Sequence, residues 1–126
     1  MTWPAPATLL RHAPPAVRVA QIIARDDDGL RCLGPAADWT WPTLLEGCAQ
    51  TAGLLAGMQP GGPSNRALIA EYRDLLVHAD RYSGAPRFAA RFDRRLLGFW
   101  RYAVRASTDD ERLLLSGLVT LAPVDA

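Results

Sequence analysis

Between Trp41 and Gly57 the chain reads as a helix with only two strongly polar side chains, Glu46 and Gln50, among apolar and small residues. At about 100° per residue, Thr43, Glu46, Gln50, Gly53 and Gly57 fall on one stripe. Leu44, Cys48, Ala52 and Leu55 fall on the opposite one. A helix apolar on nearly all sides is expected to be covered on nearly all sides, so the fold must wrap it. A carboxylate on such a helix needs either a partner or a chemical task, because an unpaired buried charge costs several kcal/mol. Glu46 is therefore the first candidate functional residue.

The 126 residues suit a single domain, 1–126, and no shift in composition divides them. All fourteen basic residues are arginine and the net charge is +1, which gives no overall reason to expect nucleic acid. The charge is uneven, however. From Arg66 to Arg105 there are nine arginines against Glu71, Asp74, Asp80 and Asp93. Two cysteines, Cys32 and Cys48, make no disulfide framework, and Cys48 lies on the apolar helix stripe. No basic-then-apolar leader and no run of about 18 apolar residues is present, so a reducing cytoplasm, with no membrane, is the expected setting.

A proline-rich lead precedes a β-rich stretch, Val17 to Ala24, a turn at Arg25-Asp26-Asp27-Asp28-Gly29, and a short strand through Cys32. The three aspartates lack the alternating spacing of a calcium loop and read as a solvated turn; no metal or cofactor is expected. Gly34 to Asp38 reads as a loop. Thr40 is a helix N-cap with Pro42 in the first turn, and the helix ends near Met58 before a Pro-Gly-rich linker at 59–65. Everything beyond is β. Arg66 to Ala79 reads as a strand with a bulge. Along the next, Phe88, Ala90 and Phe92 oppose Arg87, Ala89 and Arg91. Then Trp100, Tyr102, Val104 and Ala106 oppose Phe99, Arg101, Ala103 and Arg105, and Arg112 to Ala122 forms a final strand. One long central helix and five or six antiparallel strands satisfy both burial demands if a curved sheet wraps the helix, an α+β class.

In this order and spacing the chain resembles the hotdog-fold superfamily, and within it the 3-hydroxyacyl-(acyl-carrier-protein) dehydratases. Residues 9–19, Leu-Leu-Arg-His-Ala-Pro-Pro-Ala-Val-Arg-Val, look like that family's opening segment. Leu44 to Gly53 looks like its central helix, an acid followed four positions later by glutamine, and Ser116 to Ala122 looks like its closing strand. The resemblance implies a 3-hydroxyacyl thioester on a phosphopantetheine arm, carried by acyl-carrier protein or coenzyme A. Loss of water gives the enoyl thioester, a hydro-lyase reaction. Glu46 stands at the acid position, and Gln50, Gly53 and His12 at substrate-binding positions. A homodimer, or a heterodimer with a related hotdog subunit, is implied as well.

The chain departs from the family where the catalytic histidine belongs. The segment from Leu30 to Thr40 is short and holds no histidine, and the family spacing counted back from Glu46 lands on Cys32. Three readings stay open: a dehydratase with a displaced base such as His12 or one lent by another subunit, a hotdog thioesterase using the helix carboxylate alone, or a non-catalytic carrier-binding subunit that pairs with an active dehydratase. Glu46 could instead be neutralised structurally by one of the many arginines, such as Arg73 or Arg101, with Gln50 bonded to backbone. Arg87, Arg91, Arg101 and Arg105 are either solvent faces of two strands or a surface that steers an acidic carrier protein, in which case reversing Arg94 and Arg95 weakens its association. Trp39, Trp41 and Trp100 are candidates for an interface or tunnel lining.

Overall fold

The computed structural model describes residues 18–62 and 68–123. Thr40 is extended, and its N–H donates to Thr43 Oγ1 at 3.0 Å, which starts helix α1, Trp41–Met58. Pro42 sits in the first turn, where a missing N–H is no loss. The helix stops as Gln59 turns extended, its N–H closing on the Leu55 carbonyl at 3.1 Å, with Pro60 next. Leu44, Cys48, Ala52 and Leu55 are fully buried, as the helical stripe requires.

Eight strands accompany the helix among the described residues: β1 Gln21–Arg25, β2 Gly29–Leu33, β3 Ala37–Thr40, β4 Leu68–Val77, β5 Arg81–Gly84, β6 Arg87–Leu96, β7 Phe99–Ser107 and β8 Leu113–Ala122. Six of them form one antiparallel sheet in the order β1-β2-β6-β7-β8-β4. Helix α1 packs across β2, β6, β7 and β8. The alternation read from the sequence sets the two faces. Phe88, Ala90, Tyr102, Val104 and Ala106 are buried beneath the helix, while Arg87, Arg91 and Arg105 point away from it. Gly47 permits the close approach: a Cβ there would lie 2.2 Å from Phe88 Cζ. The hydroxyl of buried Tyr102 donates to Gln59 Oε1 at 2.8 Å, tying the sheet to the helix end.

Two expectations need correction. The segment expected to be a loop, Gly34 to Asp38, runs into strand β3, which pairs with β5 in a separate two-stranded ribbon. Ser83 Oγ donates to Asp38 Oδ1 at 2.6 Å across that ribbon, and Trp39 stands edge-on to Phe88 at 5.6 Å. Strand β1 begins at Gln21 rather than Val17, because 18–20 lie outside the ladder and Val17 lies outside the described residues. Strand β4 carries the expected irregularity, with register shifts after Ile69 and Arg73 and a left-handed Asp74 (φ 54°). Among the described residues it is one of the two edges of the large sheet, opposite β1, and Leu68, Ile69, Leu76 and Val77 stand exposed along it.

Candidate functional site

Glu46, Gln50 and Gly53 lie on successive turns of α1, on the stripe opposite its buried face. The sequence reading expected this stripe to be covered too. Instead the Glu46 side chain is 53% exposed, and Gly53 is half-buried with open space where a Cβ would project. Gln50 is buried, at 8% exposure. Cover extends well round the helix, since Gly47, Ala49, Thr51, Leu54 and Ala56 are buried beside the Leu44–Leu55 stripe, and it leaves a narrow strip open through Glu46, Gly53 and Gly57.

One residue reaches both polar side chains. Arg18 Nε donates to Glu46 Oε2 at 2.8 Å, and the Arg18 backbone N–H donates to Gln50 Oε1 at 2.6 Å. The carboxylate is thus paired with an arginine and Gln50 bonded to backbone, but the partner is neither Arg73 nor Arg101. Arg73 binds Glu71 at 3.1 Å and Arg101 binds Asp93 at 2.7 Å. The Arg18–Glu46 pair is half-exposed and adds little to stability, so its effect is to fix where the carboxylate sits. Glu46 Oε1 has no partner among the described residues.

Tyr72 enters the same neighbourhood from β4. Burial raises its phenol above the ordinary value, and nearby Cys48 and Glu46 add to the rise. Sequence reasoning missed Arg18 and Tyr72. Arg18 stood inside the quoted opening segment, so a signal existed; nothing in the spacing ties Tyr72 to Glu46, because the two meet only once β4 closes on β8.

His12 lies outside the described residues. His78 is exposed just after β4, its backbone N–H donating to the Leu114 carbonyl, and no hydrogen bond or ion pair joins it to Glu46. Cys32 faces the core, and burial pushes its thiol up to about 12. A thiol that hard to ionise is no general base near neutrality. Trp39 is buried in the core and Trp41 is exposed, while Trp100 packs on Phe92 at 5.3 Å with Arg95 over its ring at 5.6 Å. Among the described residues no cluster of three or more His, Cys, Asp or Glu side chains is placed to hold a metal, and no helix is long and apolar enough to cross a membrane.

No protein-family model and no curated protein matches the sequence. The architecture, by contrast, is shared with solved structures. A chain of the dehydratase heterocomplex ApeI:P from Xenorhabdus doucetiae superposes with a TM-score of 0.82 at 13% identity, over 98% of this chain and 93% of that one. A hypothetical thioesterase with coenzyme A from Streptococcus pneumoniae gives 0.68 at 11% identity, over 86% and 88%. The E. coli PaaI protein from the phenylacetic acid degradation operon gives 0.69 at 8% identity, over 81% of each chain. The chain has the hotdog fold.

Proposed function

We propose that this protein is an acyl-thioester-binding hotdog subunit that supplies the acid, Glu46, of a 3-hydroxyacyl thioester dehydratase site completed by a second subunit. The supporting observation is the position of Glu46. It sits on the uncovered stripe of α1, positioned by Arg18, with Oε1 open and no imidazole bonded to it among the described residues. The acyl arm runs along the open space beside Gly53 and past Gln50.

The chemistry needs two groups. A base removes a proton from the carbon next to the thioester carbonyl, and that electron pair becomes the new C=C bond. The 3-hydroxyl departs with its C–O electrons and takes a proton from Glu46, leaving as water. The base comes from outside the described residues, as an imidazole of a second subunit or as His12. Strand β4 supports assembly, because an exposed apolar edge with one ladder of backbone groups unpaired among the described residues invites a partner strand. That partner is a second copy or a related hotdog subunit, and the heterocomplex formed by one structural neighbour favours the related subunit. The carrier is a phosphopantetheine arm on acyl-carrier protein or coenzyme A. Both thiols are free and buried, which suits a reducing cytoplasm.

A second reading is favoured by the same carboxylate, to which no imidazole is bonded among the described residues. Glu46 alone can activate water against a thioester carbonyl, giving hydrolysis without a histidine, and thioesterases stand among the structural neighbours.

Mass spectrometry of 3-hydroxyacyl-carrier protein and 3-hydroxyacyl-coenzyme A separates these readings. The assay uses purified protein alone and with a histidine-bearing hotdog subunit, each beside Glu46→Gln. Loss of water that requires Glu46 supports the dehydratase site, and dependence on the second subunit supports its composite nature. Release of free thiol moves the protein to hydrolysis. Turnover that survives Glu46→Gln removes Glu46 from the chemistry.

A further inference from the structure

Strands β6 and β7 outrun their neighbours. Among the described residues the last pairing of β6 with β2 is Arg91 with Gly29, and the last of β7 with β8 is Trp100 with Leu121. The hairpin, with Leu96 opposite Phe99 at its tip, therefore projects past the sheet. Its turn is the pair Leu97-Gly98, both with positive φ, 50° and 90°. Two-residue turns of this kind favour Asn-Gly, because asparagine tolerates the left-handed region and leucine does not. Leu97 is also completely exposed, at 101%, and Leu96 and Phe99 beside it are exposed too. One residue thus carries two costs at once, a strained backbone and an apolar side chain in water, and full exposure leaves it no contact that offsets either.

Cations stand directly behind the apolar tip. Arg94 and Arg101 pair across the hairpin on the face that carries Leu96 and Phe99, two residues further back, and Arg95 lies over the Trp100 ring at 5.6 Å on the other face. Asp93, the acid among them, is held by Arg101 at 2.7 Å and Arg94 at 3.3 Å, so three arginines face one aspartate, a net +2. Asp28 lies beside Phe92, whose N–H donates to its carbonyl, and Asp27 adjoins it in the β1–β2 turn. Both are roughly 13 Å behind Leu96, beyond the screening length of about 8 Å at physiological salt. From the tip inward the order is apolar, then basic with an indole, each layer roughly 7 Å deep. A bilayer surface has the same order, since apolar groups enter it by about 5–10 Å while cations and indoles stay at the headgroups. We propose that the β6–β7 tip docks on the surface of an anionic lipid bilayer, with Leu96, Leu97 and Phe99 entering it and Arg94 and Arg95 meeting the lipid headgroups. The contact is peripheral and spans nothing. A protein partner would have to offer a concave apolar pocket to a projecting point, whereas a bilayer yields to it. An acidic carrier protein would use Arg94 and Arg95 but has no need of a leucine in a strained turn. The tip stands beyond the C-terminal end of α1, where Tyr102 bonds Gln59, and Glu46 is roughly 18 Å back along the helix from Met58. Docking there leaves the Glu46 strip clear, whether or not Glu46 is catalytic.

The test is co-sedimentation of the full chain with vesicles of phosphatidylcholine and phosphatidylserine in equal parts, beside vesicles of phosphatidylcholine alone. The anionic vesicles are expected to bind the protein in a salt-sensitive way and the neutral ones to bind it far less. Leu97→Asn supplies the residue that the turn prefers, so it is expected to raise Tm while weakening vesicle binding about tenfold. Arg94→Gln with Arg95→Gln is expected to remove the preference for anionic lipid. Arg87→Gln with Arg105→Gln, which removes two exposed cations elsewhere, is expected to leave binding unchanged. Sedimentation velocity without vesicles tests for the rival occupant, a second copy. Absence of binding, equal binding to both kinds of vesicle, unchanged binding by Leu97→Asn, or equal loss in the Arg87 and Arg105 variant would each overturn the proposal. So would a lower Tm or a smaller assembly in Leu97→Asn, either of which would set Leu97 against protein.

Discussion

Replacing Gly47 by alanine adds one methyl group where the helix backbone lies directly on a phenyl ring. The new Cβ would stand 2.2, 2.5 and 2.8 Å from Cζ, Cε1 and Cε2 of Phe88, against an ordinary contact of 3.4–4 Å. The conflict covers half the ring, so helix and strand must part by about 1 Å or the ring must leave its rotamer. Phe88 is fully buried and braced edge-on by Trp39, which leaves it no free volume. Overpacking of this kind costs about 3 kcal/mol at the upper end of its range. The better helix propensity of alanine offsets about 1 kcal/mol, for a net loss of about 2 kcal/mol. For a domain of this size that lowers Tm by about 8 °C. Gly53→Ala is the matched control on the same helix, because a Cβ there meets only open space. It is expected to stabilise by about 0.5–1 kcal/mol. Urea unfolding of both variants, with Gly47→Ala repeated in a Phe88→Leu background, decides the matter. The double variant is expected to recover part of the loss, since the smaller side chain yields to the methyl. A Gly47→Ala protein as stable as the parent would refute the close-approach argument.

Further expectations concern the site and the thiols. Arg18→Ala should change unfolding free energy by less than about 1 kcal/mol, because the pair it breaks is half-exposed, yet it should lower turnover markedly by releasing the Glu46 carboxylate. Steady-state kinetics beside a denaturant curve would separate the two effects, and unchanged turnover would remove Arg18 from the site. Gly53→Phe should fold normally but weaken acyl-thioester binding by filling the space along the helix; calorimetry with long-chain acyl-coenzyme A checks this, and undiminished binding places the arm elsewhere. Burial raises the thiols of Cys32 and Cys48 above the ordinary value of 9.0. The unfolded chain therefore ionises them first, and stability should fall as pH rises above about 9. Replacing both cysteines by alanine should flatten that limb of the stability–pH curve, and a limb equally steep without them would show that other groups cause it.

The sequence was legible where the signal is local. The bounds of α1 follow from Thr40, Pro42 and Pro60 within a few residues of each end, and the faces of β6 and β7 follow from strict alternation. The β3–β5 ribbon was not legible. Ala37–Thr40 and Arg81–Gly84 are each four residues long, too short for alternation to register, and they find one another across some forty intervening positions. The site was half legible for the same reason. Glu46 and Gln50 announce themselves by being polar on an apolar helix, whereas the identity of their partner, Arg18, is a matter of which strand end folds over the helix. The open strip through Glu46, Gly53 and Gly57 was misread because these small and polar residues sit where the cover around the rest of the helix stops, and composition does not reveal that limit.

The position of β4 has a temporal consequence. Among the described strands it is the fourth to be synthesised, yet its hydrogen-bonded neighbour in the sheet is β8, the last. While the ribosome makes the intervening residues, the apolar side chains of β4 have no strand to join, and the sheet cannot close until β8 emerges. A ribosome stalled before Leu113 would therefore hold a chain with helix and hairpins in place but β4 unzipped. The same edge that suits a partner subunit in the finished protein would, in that nascent chain, be free on both sides and a natural target for chaperones.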